Sequence, residues 1–214
     1  MNQTEITMRT YPQFVTALYE NIGELVKLNL LFLIFSLPVV TLPASYTAMT
    51  MSMQKLARGE VRHIWSDFRE TFRRCFWRSI PCGAAVFGPA ALCVYVVPFY
   101  RAQLAYGPVF YLPLVLSCIT AGVMLMAGFY AFPMLAAVGL PLGGILKNAV
   151  SLVFIRLWQS LLCLAVLAVL TVLVIVILPV SVVLLLTIYF SLSCAIASYA
   201  GWGGILDYVL KEAA

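Results

Sequence analysis

The chain has 214 residues, of which 64% are hydrophobic and only 10% are charged. Soluble domains carry about 25% charged residues, so this composition excludes an ordinary soluble protein. The net charge of +5 does not indicate nucleic-acid binding, because seven of the 13 Lys and Arg residues are concentrated between Lys55 and Arg78.

The pattern of residues 1–27 predicts an amphipathic helix that precedes the first membrane span. Thr10 is a suitable cap and Pro12 suits the first turn, and apolar side chains then repeat at helical spacing on one face. Asn29 follows directly, together with Lys27, and we expect both at the membrane interface.

Residues 28–54 form the first uncharged tract, and two prolines interrupt it. Pro38 and Pro43 each remove a backbone donor and cannot both sit in an undistorted helix. Either the helix kinks, with Thr41 or Ser45 bonding the freed carbonyls, or the segment is re-entrant. We predict the kinked span, and we regard Pro38, Thr41, Pro43 and Ser45 as the candidate broken-helix site.

Residues 55–78 predict a basic amphipathic helix in the cytoplasm. Its aromatic face and its arginines suit an anionic inner leaflet, and a docking surface for a cytoplasmic partner is the alternative. The candidate interaction residues are Trp65, Phe68, Arg69, Phe72, Arg73 and Arg74.

Residues 79–206 predict four further spans, because a spanning helix needs about 20 apolar residues. About fifty residues between Arg156 and Asp207 carry no charge, which is enough for two of these spans. Their continuous apolar runs exclude the alternating strands of a membrane barrel. The predicted spans are 79–100, interrupted by a proline, 110–132, 148–178 and 180–202, with a turn at Pro179.

The fold class is therefore all-α, a polytopic membrane bundle of about five helices. Loop Lys and Arg counts place residues 55–78 and the tail 207–214 in the cytoplasm. The N-terminus is then outside, or cytoplasmic if residues 28–54 are re-entrant. Arg156 and Gln159 are expected at the interface. Small residues at 193, 197 and 201 predict close helix packing, inside the bundle or between two copies.

The sequence predicts no enzyme, no metal site and no cofactor. His63 is the single histidine, and one histidine without partner ligands makes no metal site. The predicted spans contain no Asp or Glu, which weighs against a proton-coupled transporter.

Five segments in the first third of the chain resemble the YesL family of bacterial membrane proteins, a family of unassigned function. They are LNLLF at 28–32, SLPVVTLPA at 36–44, KLARGE at 55–60, WSDF at 65–68 and FRR at 72–74. Many members carry Gly where Leu42 or Pro43 stands, so the break here is richer in proline.

The resemblance implies an inner-membrane protein that accompanies carbohydrate uptake. Our hypothesis is an accessory or scaffold component, whose partners are subunits of a carbohydrate ABC transporter or further copies of itself. The alternative is a small carrier or channel with a site at the broken first span, because broken helices mark substrate sites in transporters.

Overall fold

The computed structural model describes residue 16 and residues 18–60, 63–138, 140–176 and 185–205. The predictions for residues 1–15, for Pro179 and for the tail at 207–214 lie outside the described residues. Within the described ranges the chain is helical and contains no strand, as the sequence predicted. The helices are α1 (Ile22–Phe35), α2 (Leu42–Arg58), α3 (Ile64–Gln103), α4 (Tyr111–Ala137), α5 (Leu142–Ile155), α6 (Leu157–Val176) and α7 (Phe190–Ile205).

Three of the described helices are long and apolar enough to cross a membrane. They are α3, α4 together with the 3₁₀ turn before it, and α6. The segments Leu142–Ile155 and Leu186–Tyr199 are apolar but shorter. The described part of the chain thus shows three candidate spans where the sequence predicted five.

Residues 28–54 are divided between two short helices. α1 ends at Phe35 and α2 begins at Leu42, with a 3₁₀ turn at Val39–Thr41 between them. At 1.5 Å per residue the helices are about 21 and 26 Å long, shorter than the hydrocarbon core of about 30 Å. This geometry favours the re-entrant alternative over one kinked span.

The basic segment is divided between two helices, since Lys55 and Arg58 lie in α2, whereas residues 64–78 share one helix with the second predicted span. α3 has 40 residues and is therefore about 60 Å long. Pro81, Pro89 and Pro98 lie inside it without ending it, because neighbouring helices and local adjustments accommodate proline in such bundles. The predicted boundary between residues 78 and 79 is therefore not a helix end. Residues 64–78 therefore continue into the span as one helix, and their position relative to the membrane surface stays a prediction.

α3 and α4 form an antiparallel hairpin, which the turns between Leu104 and Phe110 close. The Cys93 thiol approaches the Ser117 carbonyl at 3.5 Å near the turn. Further from the turn, a Cβ added at Gly128 would lie 2.9 Å from the Val86 side chain. The small residue at position 128 thus permits the close approach of the two helices.

Two clusters of buried side chains hold the bundle together. One centres on the second half of α4 and includes buried residues of α5, such as Ile145 and Leu152. The other joins α1, α2 and the first turns of α3 to α7, with Leu28, Met53 and Phe68 among its buried members. α7 contributes to both clusters, so it connects the two parts of the bundle.

The fourth predicted span, 148–178, differs from the helices observed. Helix α5 already begins at Leu142, and it ends at Ile155. Arg156 has φ −115° and ψ 39°, outside the helical region, and α6 begins directly after it. The sequence gives no sign of this break, because no Pro or Gly occurs near residue 156.

The small residues of α7 pack inside the protein. Ala197 is 2% exposed, and a Cβ added at Gly201 would overlap the carbonyl oxygen of Phe129 on α4. This contact supports packing within one bundle and leaves Gly201 covered by its own chain. The homodimer alternative for this stripe loses its support.

Candidate functional site

The predicted broken-helix site has its polar groups bonded locally. Thr41 Oγ1 lies 2.5 Å from the Phe35 carbonyl oxygen and 2.6 Å from that of Pro38, and Ser45 Oγ donates to the Thr41 carbonyl at 3.1 Å. The hydroxyl groups therefore satisfy the carbonyls that the break frees. They are not left available for a substrate.

The surroundings of this break are apolar. Leu37 and Val39, which flank the exposed Pro38, are each 80% exposed, while Pro43 packs against Gly83 of α3. Neither of the two surface grooves described for this protein includes residues of the break. The structure thus places Pro38 on an exposed apolar turn, Thr41 and Pro43 half-buried behind it, and Ser45 buried in α2.

Helix α2 carries several polar side chains that are buried inside the bundle. Ser45, Thr47, Thr50, Ser52 and Gln54 are all buried. The Thr47 hydroxyl bonds the Ser79 hydroxyl of α3 at 3.0 Å, whereas Ser52 Oγ and both polar atoms of the Gln54 amide have no hydrogen-bond partner among the described residues. An unsatisfied buried polar group costs about 1–3 kcal/mol, so Gln54 weakens the bundle in the structure described.

Asn29 connects the first and last described helices, and its predicted position at the membrane interface stays a prediction. It is fully buried. Its Nδ2 donates to the Leu186 carbonyl at 2.7 Å, and its Oδ1 accepts from the backbone N–H groups of Phe190 and Ser191 at 2.9 and 3.1 Å. It thereby caps α7 where a π-helical turn, Leu185–Tyr189, precedes that helix. The sequence signal for this buried role was a single Asn within an apolar tract.

Two of the predicted surface aromatics belong to the core. Phe68 is completely buried and Phe72 is half-buried. The ring of Phe35 on α1 lies 5.4 Å from the ring of Phe68 and 5.0 Å from that of Phe72, with edge-on geometry. Because α1 packs against them, Phe68 is closed to a docking partner and Phe72 is only partly accessible, although the sequence predicted both on the docking face.

Arg74 also serves the bundle. Its Nη2 donates to the Ala136 carbonyl at 3.1 Å, and Arg78 donates to the Leu140 carbonyl. Both carbonyls lie at or just beyond the C-terminal end of α4, where cations are favoured.

One face of the first turns of α3 exposes four large side chains, which we call the Trp–Arg stripe: Trp65, Arg69, Arg73 and Trp77. Trp65 is 55% and Trp77 80% exposed, and steps of four residues place all four on one face. No hydrogen bond or ion pair joins Arg69 or Arg73 to any described residue. Asp67 is engaged by Lys55 at 2.5 Å. The sequence had not singled out Trp77.

A surface groove of about 570 Å³ opens beside the start of α3. We call it the α1 groove, and it is lined by Asn21, Glu24, Lys27, Leu30, Leu31, Ile34, Leu56, Gly59, His63, Ile64 and Trp65. Its polar end holds the ion pair of Lys27 with Glu24 at 2.7 Å. The groove is within the size range of ligand pockets.

The interfacial prediction at Arg156 and Gln159 stays a prediction. Arg156 is half-buried at the α5–α6 break and Gln159 is exposed, beside Trp158, which is 79% exposed. Ser160, one residue further, bonds the Tyr130 hydroxyl at 2.8 Å. In the described part of the chain, no group of three His, Cys, Asp or Glu side chains could hold a metal ion.

Long apolar helices in an all-helical bundle define the class of this protein, an integral membrane protein. Residues 25–97 match the model of a family described as "Protein of unknown function, DUF624". The matched region contains α2, most of α1 and most of α3, and it is consistent with the resemblance to the YesL family. No curated protein and no solved structure matches the chain.

Proposed function

We propose that the protein is an accessory or scaffold subunit of the bacterial cytoplasmic membrane, working beside a carbohydrate uptake complex. The observation that carries the proposal is the Trp–Arg stripe. Two exposed tryptophans and two arginines without described partners form one face of a helix about 60 Å long. Tryptophan and arginine dominate the energetics of protein interfaces.

The arrangement of the stripe suits docking. Trp65 and Trp77 stand at its two ends, and their side chains present much apolar area at little entropic cost. Arg69 and Arg73 lie one turn apart between them and can pair with carboxylates of a partner. The core contacts of Phe68 hold the helix in place. An acidic cytoplasmic surface of a transporter subunit is therefore the proposed partner.

The sugar-uptake context comes from the resemblance to the YesL family, and the cytoplasmic side from the excess of Lys and Arg at residues 55–78. The carrier alternative lacks comparable support. The polar groups at the break bond the local backbone, and the flanking side chains are apolar.

The test is affinity purification of the full chain from its own membranes in mild detergent, with sugar uptake measured in the same cells. The variant carries Arg69→Gln and Arg73→Gln. Arg101→Gln is the matched control, because Arg101 is an exposed arginine at the far end of the same helix. We expect transporter subunits with the wild-type chain and the control, and a loss of about tenfold with the double variant.

The proposal fails if no transporter subunit accompanies the wild-type chain. It also fails if the double variant retains the same subunits and the same uptake rate as Arg101→Gln. Equal membrane levels of all three chains, measured by immunoblot, show that folding is not the cause of a difference.

A further inference from the structure

The α1 groove changes character along its length. Its lining begins with Asn21, Glu24 and Lys27 in the first turns of α1 and continues with Leu30 and Ile34. From Glu24 to Ile34 the helix rises about 15 Å. A ligand that fills the groove must therefore be polar at one end and apolar at the other.

We propose that this groove binds one phospholipid with a zwitterionic, ammonium-bearing headgroup. The proposal does not rest on the proposed function. Its polar end holds a carboxylate and an ammonium group side by side, since Lys27 Nζ lies 2.7 Å from Glu24 Oε1. An ammonium headgroup complements the carboxylate of Glu24, and the lipid phosphate complements Lys27.

The apolar end of the α1 groove exposes large apolar side chains. Leu30, Ile34 and Trp65 are 45%, 58% and 55% exposed, and they adjoin charged side chains. In a membrane protein such exposed apolar side chains suit contact with acyl chains. An acyl chain lying along Leu30 and Ile34 covers them while its headgroup remains at Glu24 and Lys27. A lipid therefore matches both ends of the groove at once.

The test is native mass spectrometry of the full chain, delipidated in detergent and titrated with dioleoyl phosphatidylethanolamine or dioleoyl phosphatidylglycerol. The two lipids have identical chains, so a difference reports the headgroup. We expect one ethanolamine lipid per chain, bound about tenfold more tightly than the glycerol lipid.

Two variants locate the site. Ile34→Trp fills the apolar end and is expected to reduce the bound ethanolamine lipid about tenfold. Leu37→Trp is the control, since Leu37 is 80% exposed and lies outside the groove. If Ile34→Trp impairs folding, Glu24→Gln with Lys27→Gln replaces it and is expected to abolish the preference between the lipids.

Equal affinity for the two lipids overturns the proposal, because the headgroup is then not recognised. Equal binding by the Ile34 and Leu37 variants also overturns it, because the lipid then lies elsewhere. A peptide or protein that cross-links to the groove and excludes the lipid identifies a different occupant and overturns it as well.

Discussion

Substitution of Gly201 by alanine tests the packing of α7 against α4. Gly201 is buried, and an added Cβ would approach the Phe129 carbonyl oxygen more closely than 3.0 Å, a separation that real Cβ atoms essentially never show. The obstacle is backbone, which cannot rotate away as a flexible side chain can. One of the two helices must therefore move.

The expected change in the free energy of unfolding follows from two opposing effects. Alanine stabilises a helix relative to glycine by about 1 kcal/mol, and this gain applies wherever the position lies inside a helix. Overpacking of a tight contact costs about 1–3 kcal/mol. Gly122→Ala on α4 is the matched control, because nothing lies within 4 Å of a Cβ added there. We expect Gly201→Ala to be about 1–3 kcal/mol less stable than Gly122→Ala.

The assay is thermal unfolding in mild detergent, followed with a thiol-reactive dye that reports exposure of the buried Cys163 and Cys194. Cys118 is exposed and is replaced by serine in every chain to reduce the background. For a chain of this size the expected difference corresponds to roughly 2–12 °C in apparent Tm. Equal transitions for the two alanine variants would refute the close packing of α7 on α4.

Three further predictions address the same bundle. Asn29→Leu removes the hydrogen bonds to the backbone at the start of α7, and we expect the free energy of unfolding in detergent to fall by about 3 kcal/mol or more. An unchanged Tm contradicts the buried cap. Gln54→Met removes an amide without partners and is expected to raise stability by about 1 kcal/mol, so a clear loss means that Gln54 is bonded. Cysteines introduced at Ile22 and Glu60, in a background without exposed native thiols, should react with an impermeant maleimide from the same side of the membrane. Labelling from opposite sides refutes the re-entrant arrangement of α1 and α2.

The helical class could be predicted because it rests on local composition. Uncharged tracts longer than about 20 residues leave few alternatives to membrane helices. The ends of helices were harder to place. Pro81, Pro89 and Pro98 lie within α3 and do not end it. Helix α5, by contrast, ends at Ile155 with no Pro or Gly nearby. Such positions depend on neighbouring helices, which a local pattern does not report.

The candidate interaction surface on α3 shows the same limit, because a local sequence pattern does not identify the helix that packs against it. The spacing of Trp65, Phe68 and Phe72 correctly describes one apolar side of a helix, but periodicity does not say what covers it. Phe35 comes from a helix about thirty residues earlier and covers Phe68 and Phe72, leaving Trp65 half exposed. Trp77 became part of the open stripe because no described helix packs over it.

The polar features of the protein are distributed unevenly, and this bears on where function lies. The α1 groove, the Trp–Arg stripe and the unpartnered Gln54 all fall within residues 21–77, largely inside the region that matches the DUF624 model. Helix α6, by contrast, exposes mainly apolar side chains such as Val169 and Leu173, which suit contact with lipid. Asn29 joins α1 to α7, so the second half of the chain supports the first. Loss of function from a change in α6 or α7 should therefore accompany loss of stability, whereas changes at Arg69 and Arg73 should separate the two.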